Sequence, residues 1–282
     1  MSTRHAPSGL RRWPWGAIAA IPLGILVVVA VQLLDGGAFT SLLQGAAAII
    51  VFGGTCAATL VTYSPGAIRR AAAAALDTFR TQEDDLDVLS AELVALSIRA
   101  HREGLLALDA HLDGIDDPFL RNGLTLVVDG ASSDMLRDAL AVERGAEEAN
   151  EDLPARIFEA AAGYAPTLGI LGAVLGLIRV MESLPDPAAL GSGIATAFVA
   201  TVYGVGSANL VLLPIAGRLR ERAAARARRR DLVTEALLDV QRRINPRLVA
   251  HKARPFAAEL PRVEEIAKRM SRQTDARAGG FV

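Results

Sequence analysis

The chain has 282 residues, of which 51% are hydrophobic and 22% are charged, and its formal net charge at pH 7 is −1. A charge this close to zero excludes the large positive excess that is typical of nucleic-acid-binding proteins. The single cysteine, Cys56, excludes a disulfide framework or a cysteine-based metal site within one chain. The four histidines lack metal-ligand spacing, so we expect neither a metal nor a cofactor.

Four apolar runs are each long enough to cross a bilayer as a helix, which takes about 20 residues. In chain order they cover residues 15–34, 39–63, 161–181 and 194–216. Arginines lie before the first run, after the second and after the fourth, whereas the two short links contain only acidic charges. Because basic residues favour the cytoplasmic side, both termini and the central segment are predicted to be cytoplasmic.

The segment between the second and third runs has mostly helical character. The sequence IRRAAAAALDTFR is rich in strong helix formers and is expected to continue the helix of the second run. A roughly three-to-four-residue spacing of leucines predicts an amphipathic helix; the leucines are Leu89, Leu93, Leu96, Leu105 and Leu108. Asp117-Pro118 and Asn122-Gly123 are turn signals that are expected to interrupt the helical pattern.

A further helix is predicted to begin at Ser132 or Ser133, either of which is a good N-cap residue. After the fourth run, residues 218–245 predict a helix that ends before Pro246. Together these elements predict an all-α membrane protein with four transmembrane helices, a large helical cytoplasmic insertion between helices 2 and 3, and a cytoplasmic C-terminal helix. The predicted boundaries are an N-terminal arm at 1–14, a transmembrane hairpin at 15–63, a cytoplasmic helical region at 64–160, a second hairpin at 161–216, and a C-terminal helix and tail at 217–282.

The deep parts of the four runs contain no Asp, Glu, Lys or Arg, and Arg179 lies near the predicted outer end of the third. Membrane helices that carry protons usually contain an ionisable side chain. If the chain belongs to a proton-driven machine, another subunit must therefore supply the carboxylate. Pro166 and Pro214 each free a backbone carbonyl near the predicted cytoplasmic end of a run, where a hinge is expected.

Several segments resemble the flagellar stator subunits of the MotA and PomA family over about residues 36–247. They read VFGGTCAATLVTYSP, REGLLALD, IDDPFLRNGLTLVVDG, IFEAAAGYAPTLGILGAVLGLI and DPAALGSGIATAFVATVYGVGSANLVLLPIAGRL. The resemblance implies an inner-membrane ion channel that converts ion flow into torque. It also implies a homopentamer around a MotB-type partner, whose transmembrane helix supplies an essential aspartate.

The same resemblance implies roles for individual residues. Pro166 and Pro214 match the two prolines that couple proton movement to conformational change, and Thr201 matches a threonine facing the ion path. Ala173 occupies a position where sodium-driven members have a second threonine. Because a methyl group cannot coordinate Na⁺, Ala173 favours protons.

For the cytoplasmic region, the resemblance implies a basic residue and an acid eight positions later that meet a rotor protein of the FliG type. The basic position falls on His101, with Arg102 beside it, and the acid falls on Asp109, where glutamate is usual. Charged residues in such a helix can also form a solvated face without a partner, and we prefer this interpretation for Arg99 and Glu103. Exposed ion pairs are weak, which suits a motor subunit that must bind and release its rotor repeatedly.

Two other functions stay open on the sequence. The first is a TolQ/ExbB-type proton-channel energiser of envelope processes, although that class has one span before its cytoplasmic loop and this chain has two. The second is a membrane-anchored signalling or scaffold protein. An enzyme is not predicted, because Gly53-Gly54 alone makes no phosphate loop and no catalytic constellation is evident.

Overall fold

The computed structural model describes scattered positions between 22 and 34 and residues 42–78, 86–182, 187–256 and 265. Every regular element within these residues is helical. The chain divides into two compact units, a first unit of Met1–Gln82 with Glu151–Arg222 and a second unit of Glu83–Asn150 with Ala223–Val282. The first predicted transmembrane run, residues 15–34, lies largely outside the described residues.

Helix α1 of the first unit spans Gly45–Thr62 and contains one π-helical turn at Ile49–Gly53. Its buried residues recur at every fourth position, namely Ala47, Val51, Thr55 and Thr59. In a regular α-helix such a stripe would drift by about 40° at each step, because one turn takes about 3.6 residues. A π turn accommodates about one extra residue, so it keeps the four buried side chains on one face.

The chain breaks between α1 and helix α2, which spans Pro65–Asp77. Tyr63 is extended, and the hydroxyl of Ser64 accepts a hydrogen bond from the Ala67 N–H at 3.3 Å. Ser64 precedes a proline, which disfavours helical backbone, and Pro65 fits the first helical position because that position needs no N–H donor. The expectation that the helix of the second run continues without a break is therefore wrong.

Two long helical stretches follow. Helix α5 spans Ser133–Glu182, 50 residues with Pro154 and Pro166 inside it, and the Ser132 hydroxyl caps it by accepting the Met135 N–H at 3.3 Å. Helix α6 spans Pro187–Ser207 and passes through a π turn at Ala208–Leu212 into helix α7, Leu213–Gln241. Among the described residues, three helical stretches are long and apolar enough to cross a membrane, Gly45–Thr62, Ser133–Glu182 and Leu190–Gln241.

The second unit also contains helix α3, Leu86–Glu103, a 3₁₀-helix at Leu105–Gly114, helix α4, Pro118–Val128, and helix α8, Pro246–Ala253. Its core joins these elements to parts of α5 and α7. The fully buried leucines at its centre are Leu93, Leu108, Leu120, Leu124, Leu136, Leu140 and Leu237. Burial of each such side chain stabilises the fold by about 1.5–3 kcal/mol.

The sequence signals in this unit have mixed outcomes. Asp117-Pro118 does mark a break, since Asp117 caps α4, and the break before Pro246 is confirmed. The single amphipathic helix predicted through Leu108 is wrong, because Gly104 has a φ of +92° and ends α3. Asn122-Gly123 is not a turn and lies inside α4. A Cβ on Gly123 would collide with Leu237, which explains why helix packing outweighs its turn preference.

Candidate ion-path and coupling site

Helices α5 and α6 pack backbone against backbone through glycine. A Cβ on Gly204 would lie 2.6 Å from the Ala165 carbonyl oxygen, and one on Gly169 would lie 2.9 Å from the Ala200 carbonyl oxygen. Towards the other end of the pair, a Cβ on Gly176 would lie 2.7 Å from the Ala197 nitrogen. Small residues let membrane helices approach this closely, so the glycines that weaken a soluble helix here create the contact between two spans.

Pro166 lies at this contact. It is half-buried within the continuous helix α5, and its Cα is 3.2 Å from the position of a Cβ on Gly204. Proline has no N–H to donate to the carbonyl four residues earlier, so the helix has one hydrogen bond fewer at this point. The position at which α5 lacks this hydrogen bond therefore lies directly against α6.

Thr201 and Ala173 belong to the same pair of helices. The Thr201 Cα is 3.4 Å from the position of a Cβ on Gly169, and its hydroxyl donates to the Ala197 carbonyl at 3.3 Å. Thr201 is exposed in the single chain and Ala173 is half-buried. The structure thus brings Thr201 and Pro166 to one glycine-lined contact, while Ala173 lies one helical turn along α5 from Gly169.

Pro214 is the second residue of α7 and follows the π turn. The Leu213 N–H donates to the Ala208 carbonyl five residues earlier, instead of to a carbonyl four residues earlier. Pro214 itself contributes no donor and is exposed. A wider turn is thus followed directly by a missing hydrogen bond, and irregular turns of this kind are frequent at functional sites.

Tyr203 is a site residue that the sequence analysis does not single out. Its hydroxyl donates to the Leu42 carbonyl and accepts the Gln44 N–H at 3.4 Å. Its ring lies 5.5 Å from that of Phe52, with an interplanar angle of 30°. These contacts fasten the start of α1 to α6. The sequence signal that could have identified Tyr203 is a single tyrosine within an apolar run, because a buried phenol hydroxyl usually forms a hydrogen bond with a polar group.

An apolar recess of about 710 Å³ lies within the first unit, lined mainly by α1, α2, α5, α6 and the π turn before α7. Thr55, Cys56, Phe158 and Leu212 are among its lining residues. Among the described residues that line it there is no Asp, Glu, Lys, Arg or His. The Thr55 hydroxyl has no hydrogen-bond partner among the described residues. The recess is suited to hydrocarbon or an apolar helix and is unsuited to ions.

The three residues predicted to meet a rotor are all exposed in the second unit. His101 and Arg102 lie in the last turn of α3, and Asp109 lies in the 3₁₀-helix that follows Gly104. Within the described residues none of the three forms an ion pair. Arg99, by contrast, approaches Glu103 at 3.7 Å and donates to His111 at 3.1 Å. The structure therefore gives Arg99 and Glu103 a local partner, and leaves His101, Arg102 and Asp109 facing solvent.

A second group of charges joins three helices of this unit. The Asp117 carboxylate caps α4 by accepting the Phe119 N–H at 3.0 Å, and it also binds the Arg229 guanidinium of α7 at 3.0 Å. Glu92 of α3 is nearby. Burial raises the pKa of Glu92, and the attraction of Arg229 offsets this only in part, while Asp117 and Asp116 raise the pKa further. Glu92 is therefore a charge that the fold tolerates at some cost in stability.

A model of the MotA/TolQ/ExbB proton channel family matches residues 111–231, a segment that contains Pro166, Ala173, Thr201 and Pro214. The chain is 33% identical over 241 residues to the uncharacterized protein YtxD of Bacillus subtilis, with 84% of this chain and 88% of that protein covered. It is 32% identical over 240 residues to motility protein A of the same organism, with the same coverage. The flagellar MotAB stator complex of Bacillus subtilis has a similar fold, with a TM-score of 0.77 and 31% identity over 85% of this chain and 94% of that one.

The helical hairpin and these similarities define a subunit of a membrane proton channel. The chain belongs to the MotA/TolQ/ExbB proton channel family, and its similarity to motility protein A extends over most of both sequences.

Proposed function

We propose that this chain is the channel-wall subunit of a proton-driven flagellar stator. In this proposal it assembles as a homopentamer in the bacterial inner membrane around a MotB-type partner, and acts on a FliG-type rotor protein. The observation that carries the proposal is the pairing of α5 and α6. The apolar runs of this pair, residues 161–181 and 194–216, provide a proline-bearing, threonine-bearing wall without an acid of its own, in a chain 32% identical to motility protein A.

The lack of an acidic residue in these runs determines which subunit holds the proton. The apolar runs at 161–181 and 194–216 contain no Asp or Glu, so the transferable proton must be held by the partner's aspartate. Thr201 supplies a hydroxyl to the ion path, and Ala173 has no side-chain oxygen that could coordinate Na⁺. Pro166 and Pro214 provide the two points at which a change of the partner's charge can bend the surrounding helices.

The energies involved are compatible with repeated binding and release of the rotor. One proton crossing the membrane releases about 2.3 kcal/mol for each 100 mV of membrane potential. An exposed ion pair of the kind that His101, Arg102 or Asp109 can form is worth only about 0.2–1 kcal/mol. A single proton transfer is thus sufficient to break such a contact, so the subunit can release the rotor after each step.

The topology of the proposal has the N- and C-termini and residues 64–160 in the cytoplasm, with hairpins at 15–63 and 161–216 and a cytoplasmic segment at 217–282. Positive charge after the second and fourth runs supports this orientation. A TolQ/ExbB-type energiser shares the matched family model. The stator is favoured because two apolar runs precede the cytoplasmic segment and because motility protein A matches 84% of the chain.

The experiment that tests the proposal measures proton entry and motility in one host. The chain is expressed with a MotB-type partner from which the periplasmic plug is deleted, and cytoplasmic pH is followed with a fluorescent reporter. We expect acidification only when both proteins are present, and restored swimming when the intact partner replaces the plug-deleted one. A chain that neither admits protons nor restores swimming with any such partner is a scaffold or signalling protein, and the proposal is then wrong.

A further inference from the structure

The short C-terminal helix α8 packs along α3, whose end carries His101 and Arg102. Ala250 of α8 forms a buried cluster with Val94 and Ile98 of α3. Ala253, one turn further along, is 2% exposed and joins the main core of the second unit. Small side chains at both positions let α8 approach α3 closely, so displacement of α8 would expose a face of α3.

An ion pair between a buried carboxylate and a half-exposed lysine fixes α8 in this position. Asp239 of α7 is only 4% exposed, and its carboxylate accepts two hydrogen bonds from the Lys252 ammonium group of α8, at 2.8 and 2.9 Å. Lys252 is half-exposed, so its stem lies at the surface and its charged end reaches inward to Asp239. A buried carboxylate without its cation is strongly unfavourable, and α8 is therefore held where Lys252 meets Asp239.

The turn between α7 and α8 reaches the end of α3. Arg243 has a φ of +52°, a left-handed conformation that is uncommon for arginine, and its N–H donates to the Val240 carbonyl at 2.9 Å. The Ile244 N–H donates to the carbonyl of Asp239 at 2.9 Å. The Arg243 guanidinium then lies 3.8 Å from the position of a Cβ on Gly104, the residue that ends α3. One compact turn thus joins the Asp239–Lys252 ion pair to the end of α3.

We infer that Asp239 and Lys252 are positioning residues for torque transfer, which lock α8 onto α3 and so fix the direction of His101 and Arg102. This inference rests on the proposed stator function. Exposed ion pairs are weak, so a contact built from them works only if its charges are already oriented. Neither Asp239 nor Lys252 needs to touch the rotor, and neither lies in the hairpin that forms the proton path.

The test uses Lys252→Met, Lys252→Arg, and the double variant Asp239→Asn/Lys252→Met, each in the full chain with its MotB-type partner. Arg254→Met removes the same charge from an exposed position at the end of α8 and serves as the matched control. Four quantities are measured: the protein level in the membrane, proton leak with the plug-deleted partner, stall torque on a bead, and cross-linking of a His101→Cys probe to the rotor protein. The native Cys56 is replaced by serine in the cross-linking strains.

We expect Lys252→Met and the double variant to lower stall torque and to slow cross-linking by about threefold, which corresponds to the loss of one exposed pair. Lys252→Arg and Arg254→Met should stay near the unmodified chain. The double variant leaves no charge buried alone, so its membrane level and proton leak should be unchanged. Unchanged torque and cross-linking in the double variant would overturn the inference, and so would a parallel fall in membrane level and proton leak. Failure of the stator function itself is distinct, because the unmodified chain would then give no torque.

Discussion

Gly204→Ala is the substitution that tests the backbone contact of α5 and α6 most directly. The new Cβ would lie 2.6 Å from the Ala165 carbonyl oxygen, 3.0 Å from the Gly169 Cα and 3.2 Å from the Pro166 Cα. All three neighbours are backbone atoms, so no side chain can rotate away. Since non-bonded carbon atoms prefer separations of about 3.5 Å, the two helices must part by roughly an ångström. We expect the free energy of unfolding to fall by about 2–3 kcal/mol, the upper part of the range for an overpacked contact.

The assay compares Gly204→Ala with Gly206→Ala, which lies two residues along the same helix and whose Cβ would meet nothing within 4 Å. Thermal unfolding of the detergent-solubilised complex and swimming rate are measured for both. Gly206→Ala should be neutral or slightly stabilising, because alanine is the better helix former. Gly204→Ala should unfold at a lower temperature and should abolish swimming, because it moves α6 away from Pro166. Equal melting temperatures and equal swimming for the two variants would refute the close-packing argument.

Three further predictions concern the helix breaks and the second unit. Pro166→Ala and Pro214→Ala each restore a backbone N–H, so both proteins should reach the membrane at normal levels while swimming is lost; swimming at the normal rate would contradict the hinge role. Asp117→Ala removes the cap of α4 and an ion pair to α7, so we expect the free energy of unfolding to fall by about 2 kcal/mol in denaturant titrations, with Asp116→Ala, at an exposed neighbour, nearly unchanged. Glu92 has a raised pKa, so the folded state binds more protons than the unfolded state just above pH 4.5 and loses stability as the pH rises through that range. Glu92→Gln should therefore melt at a higher temperature than the unmodified chain at pH 7, and the difference should shrink towards pH 4.5; a difference that is independent of pH would contradict this reasoning.

Features of the fold that depend on local chemistry were predicted well from the sequence. The cap at Ser132 was predicted because its hydroxyl can reach a neighbouring N–H group, and the breaks at Asp117-Pro118 and before Pro246 were predicted from turn chemistry and from the missing proline donor. Each of the three described membrane-length helical stretches contains a predicted apolar run or lies within one. Gly169, Gly172 and Gly176 of the third apolar run lie where two helices approach each other closely. Roles assigned to Thr201, Ala173 and the exposed charges of the second unit stay predictions.

Features that depend on distant partners were missed. Asn122-Gly123 reads as a turn locally, and only the packing of Leu237 and Leu140 explains a glycine inside α4. The tie from Tyr203 to the start of α1 joins residues about 160 positions apart, which no periodicity reveals. The break at Gly104 was visible as a glycine, but the leucines on each side of it have the same spacing of three or four residues, which favoured one helix.

The π turn at Ile49–Gly53 gives α1 one residue more than a regular α-helix would need between the same flanking segments. Deleting the exposed Gly53 would return the helix to regular geometry and keep all four buried side chains of the stripe. The segments on both sides would keep their relative orientation, so Ala47 would stay against Val199 and Ala200. Homologous chains should therefore tolerate a one-residue gap in this segment, whereas a one-residue deletion elsewhere in α1 would rotate one part of the stripe by about 100° away from the other.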